Sequence, residues 1–140
     1  MTGPAIVILS SGSLSLAKKV QSVCGGTVHA YRERVDEADV LFANTGDHLR
    51  ELFASGTTII GIMASGALVR ILAPMLNDKR SEPAVLSLSD DGKSVIPLLG
   101  GHHGANQIAR HLAEHLDGHA AVTTAGDVRL GLAIDEPPAG

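Results

Sequence analysis

The chain has 140 residues, enough for a single domain with its own hydrophobic core. Hydrophobic residues make up 44% of it but aromatic residues only 2%, so aliphatic side chains must build the core, which favours alternating strands and helices over an aromatic-rich β-sandwich. A formal net charge of −4, without a basic stripe, argues against a nucleic-acid partner, and the single cysteine, Cys24, excludes an internal disulfide and a cysteine-based zinc site.

The predicted elements alternate along the chain. Short apolar runs without polar alternation are typical of strands buried on both faces of a parallel sheet. In chain order they cover residues 5–10, 27–31, 40–43 (a strand or a buried loop), 57–63, 84–88, 94–99, 120–124 and 130–134 (an edge strand). Apolar residues at helical spacing predict helices over residues 14–24, 47–54, 65–73 and 105–116. Ser13 is the expected N-cap of the first helix, and Pro74 ends the third.

This order predicts an α/β fold: a doubly wound, mostly parallel sheet with helices on both faces and one β-hairpin, formed by residues 84–88 and 94–99. Residues 1–134 are predicted to form this single domain. Residues 135–140 (DEPPAG) have the composition of a linker, so we expect the chain to be part of a longer protein.

The beginning of the chain carries no targeting signal. Residues 5–9 are apolar, but no basic region precedes them and they are too few to span a membrane. We therefore expect a cytoplasmic location and no membrane partner. In a reducing compartment, Cys24 at the end of its helix is predicted to be a small core residue rather than a nucleophile.

Two glycine-containing turns each open a predicted helix, at residues 61–66 (GIMASG) and 100–106 (GGHHGAN). Backbone N–H groups at such turns bind anions. Neither turn carries the dinucleotide fingerprint or the P-loop. Because ligands of doubly wound sheets bind beyond the carboxyl ends of the strands, we expect both turns to lie at one edge of the sheet, with residues 10–13 and 123–127.

Five motifs follow one another between residues 57 and 127: residues 61–74 (GIMASGALVRILAP), Asp78-Lys79, residues 82–85 (EPAV), the GGHHGAN turn, and residues 123–127 (TTAGD). In this order they resemble the N-terminal part of the CbiG family of cobalamin biosynthesis. The chain departs from the family pattern in two ways. Its histidine turn is one glycine shorter and has a second histidine, and the family continues into a further domain.

The resemblance implies a role in the anaerobic route to cobalamin, where the family opens the δ-lactone of cobalt-precorrin-5A and releases acetaldehyde. The implied ligand is a precorrin or cobalt-precorrin, whose rim bears many carboxylates. It implies no cofactor in this domain, since cobalt enters only with the substrate. Related modules are fused ahead of a precorrin-3B C(17)-methyltransferase, which makes a fused or separate methyltransferase a partner. In that case the domain is a non-catalytic corrinoid-binding module, and a regulatory module for another small anion is a further alternative.

His102 and His103 are the candidate catalytic residues, with Asp127 as a third. A histidine in a glycine turn at a helix N-terminus is accessible, and the neutral imidazole favoured there can activate water. The alternative for each histidine is a hydrogen bond to the backbone, and for Asp127 a helix cap, which we favour. The candidate substrate-binding residues are Ser65, Gly66, Arg70, Lys79, Gly101, Gly104, Asn106 and Thr124.

Three of these binding candidates have structural alternatives, and for Lys79 the alternative is a solvated charged loop. Arg70 either clamps a carboxylate through its planar guanidinium or pairs with Asp78 or Glu82. Asn106 either orients a ligand or caps its helix.

Three histidines, His111, His115 and His119, follow at a spacing that places them on one helix face. Metal binding by the first two is an alternative here. We expect Glu114 to point elsewhere and the face to be solvated, so no metal site is predicted.

Overall fold

A computed structural model describes residues 3–77 and 81–124. Strands and helices alternate as predicted, which confirms the α/β class. The strands are β1 (Ala5–Ile8), β2 (Thr27–Tyr31), β3 (Val40–Phe42), β4 (Ile59–Gly61), β5 (Val85–Leu88), β6 (Ser94–Leu99) and β7 (His119–Ala120). The α-helices are α1 (Leu14–Cys24), α2 (Thr45–Ala54), α3 (Ser65–Leu72) and α4 (Ala105–Leu116), and 3-10 turns cover Ser11–Ser13, Ala73–Met75 and Gly101–His103.

The strands form one seven-stranded sheet in the order β3-β2-β1-β4-β5-β6-β7. Strands β1 to β5 are parallel, β6 is antiparallel to β5, and β7 is parallel to β6. The predicted mostly parallel sheet and its single hairpin are confirmed. Strands β1 and β4 are neighbours. After β1 the chain continues to β2 on one side of this pair, and after β4 it continues to β5 on the other side. Their carboxyl ends therefore form the topological switch point, where doubly wound folds bind ligands.

Helices cover both faces of the sheet, as a doubly wound fold requires. On β1, Ile6 and Ile8 point to the face covered by α1 and α4, whereas Ala5 and Val7 point to the face covered by α2 and α3. All four side chains are at most 1% exposed. Fully burying an isoleucine or valine contributes about 1.5–3 kcal/mol, which explains why this strand has no polar alternation.

The β5–β6 hairpin separates the two glycine turns, and the expectation of one common edge is wrong. The turn at residues 61–66 follows β4 and lies at the edge where β1 to β5 end. Because β6 runs antiparallel to β5, Gly100 lies at the opposite edge, beside the start of β5. A Cβ on Gly100 would lie 2.7 Å from the carbonyl oxygen of Pro83. The hairpin thus divides the predicted binding residues between two edges of the sheet.

Some element boundaries differ from the prediction for local reasons. Ser13 stands at the N-cap position of α1, but its hydroxyl makes no cap and donates instead to Asp90 Oδ1 at 3.0 Å. Helix α2 begins two residues early because Asn44 Oδ1 accepts the Asp47 N–H at 2.9 Å. The predicted core strand 120–124 is reduced to β7, two residues paired with β6 at the edge of the sheet.

Cys24, the last residue of α1, is half-buried and packs against the core. Burial raises the pKa of its thiol, as expected for a core cysteine rather than a nucleophile. None of the helices in the two described ranges has the length and apolar character needed to cross a bilayer. The strand predicted over residues 130–134, the linker at 135–140, Lys79 and Asp127 lie outside the described residues.

Candidate functional site

One cleft, here called the histidine cleft, brings together five of the predicted site residues. It encloses about 440 Å³ between the end of β6, the glycine turn and the segment after β7. The predicted residues that line it are Gly101, His102, His103, Asn106 and Thr124. Four of them belong to the glycine turn and the helix start that follows it, and the fold brings Thr124 to them from the segment after β7.

The backbone of the glycine turn requires glycine at its two ends. Gly100 (φ +68°) and Gly104 (φ +110°) are both left-handed. The carbonyl oxygen of Gly100 accepts the N–H groups of His103 at 2.8 Å and Ala105 at 3.1 Å. The N–H groups of Gly101 and His102 precede these bonds, so they have no acceptor within the turn. Backbone N–H groups without an acceptor in their own turn favour a bound anion.

The two histidines of the turn have different surroundings. The Nδ1–H group of His103 donates to the carbonyl oxygen of Glu82 at 2.6 Å, which anchors the turn to the segment before β5. His102 is exposed to the cleft, and its imidazole makes no hydrogen bond within residues 3–77 and 81–124. His103 is therefore committed to holding the turn, and His102 is available to a ligand or a water molecule.

Asn106 and Thr124 support the turn from below. Asn106 is 5% exposed, and its Nδ2–H donates to Thr124 Oγ1 at 3.0 Å. A Cβ on Gly101 would lie 3.3 Å from the Asn106 amide atoms. The N-cap residue of α4 is Gly104, so Asn106 does not occupy the N-cap position that the alternative required. Asn106 instead fixes the position of the turn above it.

A second cleft, here called the switch cleft, lies at the carboxyl ends of β1 and β4 and encloses about 520 Å³. Two hydrogen bonds shape its walls: Ser13 Oγ donates to Asp90 Oδ1, and Ser87 Oγ donates to the Met63 carbonyl oxygen at 2.8 Å. Six serines line it: Ser10, Ser13, Ser65, Ser87, Ser89 and Ser94. Sequence reasoning found the first three but missed the last three and Asp90. The signal that could have found these residues is the predicted hairpin turn between β5 and β6. Because β5 lies beside β4 in the sheet, this turn lies next to the switch point.

Arg70 lies in the last turn of α3. Its Nη1 atom is 3.4 Å from the place where a Cβ of Gly66 would sit, so the guanidinium folds back along the helix towards Ser65. Arg70 is exposed, and within the described ranges it forms no salt bridge with Glu82. The pairing with Glu82 that we considered is therefore wrong, whereas Asp78 lies outside the described residues. Ser65, Gly66 and Arg70 together offer an anion two N–H groups at a helix start and one cation.

The histidine cleft and the switch cleft have no lining residue in common. Gly101, Asn106 and Thr124 stand with His102 at one edge of the sheet, and Ser65, Gly66 and Arg70 stand at the other. Gly104 closes the histidine turn without lining its cleft. The candidate residues therefore form two sites rather than one.

A histidine pair that sequence reasoning missed lies between the sheet and α2. His29 Nδ1 and His48 Nε2 are 2.8 Å apart, and the hydroxyl of Thr27 lies 2.8 Å from His29 Nε2. Phe42 stacks on His48 with ring centroids 4.6 Å apart. Burial lowers the pKa of both imidazoles, and for His29 the neighbouring His48 adds to the effect. The two residues are 19 positions apart, so no local pattern could have found the pair.

The exposed face of α4 also differs from expectation. Glu114 does not point elsewhere: its carboxylate lies with the imidazoles of His111 and His115, with the three candidate ligand atoms within 4.8 Å of one another. His119 is not on this face, because α4 ends at Leu116 and His119 opens β7.

Comparison with known proteins gives consistent matches. The family described as Cobalamin synthesis G N-terminal matches residues 47–127, which include both glycine turns. The chain is 39% identical over 136 residues to the cobalt-precorrin-5A hydrolase of Salmonella typhimurium, covering 94% of this chain and 38% of that protein. It is 43% identical over 88 residues to the cobalt-precorrin-5A hydrolase of Priestia megaterium, covering 62% and 24%.

A solved structure shares the fold. The chain superimposes on a cobalamin biosynthesis protein G homologue from Sulfolobus solfataricus with a TM-score of 0.63 and 27% sequence identity. The match covers 86% of this chain and 36% of that one. The chain thus spans less than two-fifths of the length of these relatives.

Proposed function

The chain belongs to the Cobalamin synthesis G N-terminal family, and from this premise we propose that it binds a precorrin-type corrinoid and opens its lactone. The matched relatives named cobalt-precorrin-5A hydrolase support this substrate class. The observation that carries the proposal is the histidine cleft itself. There, the backbone of the glycine turn, the buried Asn106 amide and the His102 imidazole, which makes no hydrogen bond within the described residues, line one cavity.

Recognition of the substrate rests on local donors. A corrinoid precursor carries many carboxylates, whereas this chain has a net charge of −4, so overall charge opposes binding. The N–H groups of Gly101 and His102 supply fixed dipoles at one edge of the sheet. The start of α3, with Arg70 folded over Gly66, supplies a second carboxylate contact at the other edge. Because these places lie in separate sites at opposite edges of the sheet, we assign the carboxylates beside the reacting lactone to the histidine turn and treat the start of α3 as a second, separate carboxylate contact.

His102 is the base of the proposed reaction. Its neutral imidazole takes a proton from a water molecule in the cleft as the water oxygen adds to the lactone carbonyl carbon. The bond between that carbon and the ring oxygen then breaks, and the imidazolium returns the proton to the departing oxygen. The N–H groups of the turn stabilise the negative charge that develops on the carbonyl oxygen. His103, held by the Glu82 carbonyl, keeps the turn in place.

A non-catalytic role is the second candidate. The observation that favours it is the limited span of the chain, 38% of the Salmonella relative and 24% of the Priestia relative, which leaves most of those proteins unmatched. In this case the clefts bind the corrinoid, and a further domain or a methyltransferase partner carries out the chemistry.

Anaerobic incubation of the chain with cobalt-precorrin-5A separates the two candidates. Mass spectrometry reports water addition and loss of the two-carbon fragment, and the absorbance spectrum reports binding. A mass change with acetaldehyde in solution supports the hydrolase. A shifted spectrum with an intact mass supports the binding module, and an unchanged spectrum and mass contradict both.

A further inference from the structure

A cluster of metal-ligating side chains lies on the exposed face of α4, outside both clefts. His111, Glu114 and His115 each present one ligand atom, and these atoms lie within 4.8 Å of one another. The residues are at i, i+3 and i+4, neighbours on one helix face, and all three are exposed. We propose that this cluster binds a divalent transition-metal ion of the zinc class.

The hydrogen bonding of His115 supports the proposal. His115 Nδ1 lies 3.0 Å from the carbonyl oxygen of His111, which can only accept, so the proton is on Nδ1. The lone pair of the neutral ring is then on Nε2, where a metal ion binds. Metal-ligating histidines almost always donate their other ring N–H to a carbonyl or carboxylate, so His115 is already held as such a ligand. The ring centroids of His111 and His115 are 4.5 Å apart, close enough for both imidazoles to share one ion.

The ligand set selects the class of ion. Two imidazoles and one carboxylate suit zinc and neighbouring transition metals, whereas magnesium and calcium prefer oxygen ligands alone. The carboxylate of Glu114 offsets one of the two positive charges of the metal ion. Water can complete the coordination because the face is open to solvent.

The spacing H-x-x-E-H also occurs in a class of zinc hydrolases, where the glutamate acts as a base. None of the three residues lines either cleft, and so we assign binding here and no catalysis.

Metal binding at this face would also stabilise the domain. The opposite face of α4 is buried in the core through Ala109, Leu112 and Leu116. An ion bridging His111 and His115 clamps one turn of this helix in the native state, and a ligand that binds only the native state raises the unfolding temperature.

The test uses the untagged chain and two metal ions. Calorimetry with Zn²⁺ should give one equivalent bound, and Co²⁺ should give visible absorption typical of nitrogen ligation. We expect His111→Ala and His115→Ala each to weaken zinc binding by roughly tenfold or more. Glu114→Gln, which keeps the size but removes the charge, should weaken it less. His119→Ala is the matched control, since this exposed histidine lies outside the cluster, and should bind like the wild type.

A measurement on the wild type alone locates the ion without substitutions. Zinc should shift the imidazole nitrogen resonances of His111 and His115 in NMR spectra and leave the His29–His48 pair unchanged. Zinc should also raise the unfolding temperature of the wild type but not of the His111→Ala/His115→Ala variant. No zinc binding, equal binding by that double variant, or shifts confined to His102 and His103 would overturn the proposal.

Discussion

The side-chain amide of Asn106 donates a hydrogen bond to the hydroxyl of Thr124 over 3.0 Å, which ties the first turn of α4 to the segment after β7. Asn106 is buried and contacts the underside of the histidine turn at Gly101. The shape of the histidine cleft therefore depends on the buried Asn106 amide. The position of the turn depends on the hydrogen bond between this amide and Thr124.

Replacing Asn106 by alanine should destabilise the protein by about 1–3 kcal/mol, since it removes buried hydrogen bonds and leaves a gap beneath the turn. Gln107→Ala is the matched control, because Gln107 is the next residue on the helix and is exposed. Urea denaturation of the two variants measures the difference. Equal stabilities would show that the Asn106 amide contributes nothing to the fold.

Gly100→Ala should cost more than about 1 kcal/mol, because the residue has a left-handed φ of +68° and a Cβ would meet the Pro83 carbonyl oxygen at 2.7 Å. The turn must shift to relieve the clash, so His102 should move as well. Gly12→Ala is the control, since its Cβ would find no atom closer than 3.9 Å. Thermal unfolding of both variants measures the cost, and a Gly100→Ala variant as stable as Gly12→Ala would contradict the geometry of the turn.

Stability should fall in mild acid because of the His29–His48 pair. Burial lowers the pKa of both imidazoles below the ordinary value of 6.5, and this outweighs the opposing charges of Asp39 on His29 and Glu51 on His48. The unfolded chain therefore binds protons more readily than the native one. The stability that the neutral His29–His48 pair contributes is complete above pH 6.5. It is lost as the pH falls from 6.5 through the lowered pKa values of the native pair.

Urea midpoints measured from pH 8 down to about pH 5, where most carboxylates are still ionised, test this dependence. The variant His29→Gln/His48→Gln should lose stability less steeply than the wild type across this range. His111→Gln/His115→Gln, which changes two exposed histidines, serves as the control and should follow the wild type. Parallel curves for the wild type and the His29→Gln/His48→Gln variant would exclude the pair as the source.

Arg70→Ala should weaken corrinoid binding. A charge-assisted hydrogen bond contributes about 1.5–3 kcal/mol, and the exposure of Arg70 places its effect near the lower value, roughly tenfold in Kd. Arg34→Ala removes another exposed arginine, in the turn after β2 and outside α3, and should leave the affinity unchanged. Absorbance titration compares the variants. Equal Kd values for wild type and Arg70→Ala would remove Arg70 from the binding surface.

The strands and helices could be predicted because each follows from a local pattern of apolar residues, glycine and proline. The apolar run at β1 lacks alternation because both faces of that strand are covered, and Pro74 ends α3 near the expected place. The hairpin was also visible in the sequence. Its consequence, that Gly100 lies at the edge opposite Ser65, follows only when strand directions are traced through the sheet.

The contacts that build the clefts could not be predicted, because they join residues far apart in the chain. Ser13 and Asp90 are 77 positions apart, and Asn106 and Thr124 are 18 apart. A serine before a helix predicts a cap, and an asparagine near a helix start predicts the same. In both cases the fold brings a distant partner to the side chain, and a local pattern carries no signal for such a partner.

The most direct test of the proposed function compares acetaldehyde release from cobalt-precorrin-5A by the wild type, His102→Gln and His103→Gln. Each variant is first titrated with the corrinoid to establish its affinity. We predict that His102→Gln binds the corrinoid but releases no acetaldehyde, and that His103→Gln, with a loosened turn, keeps measurable turnover. Wild-type turnover in His102→Gln would contradict the assignment of His102 as the base.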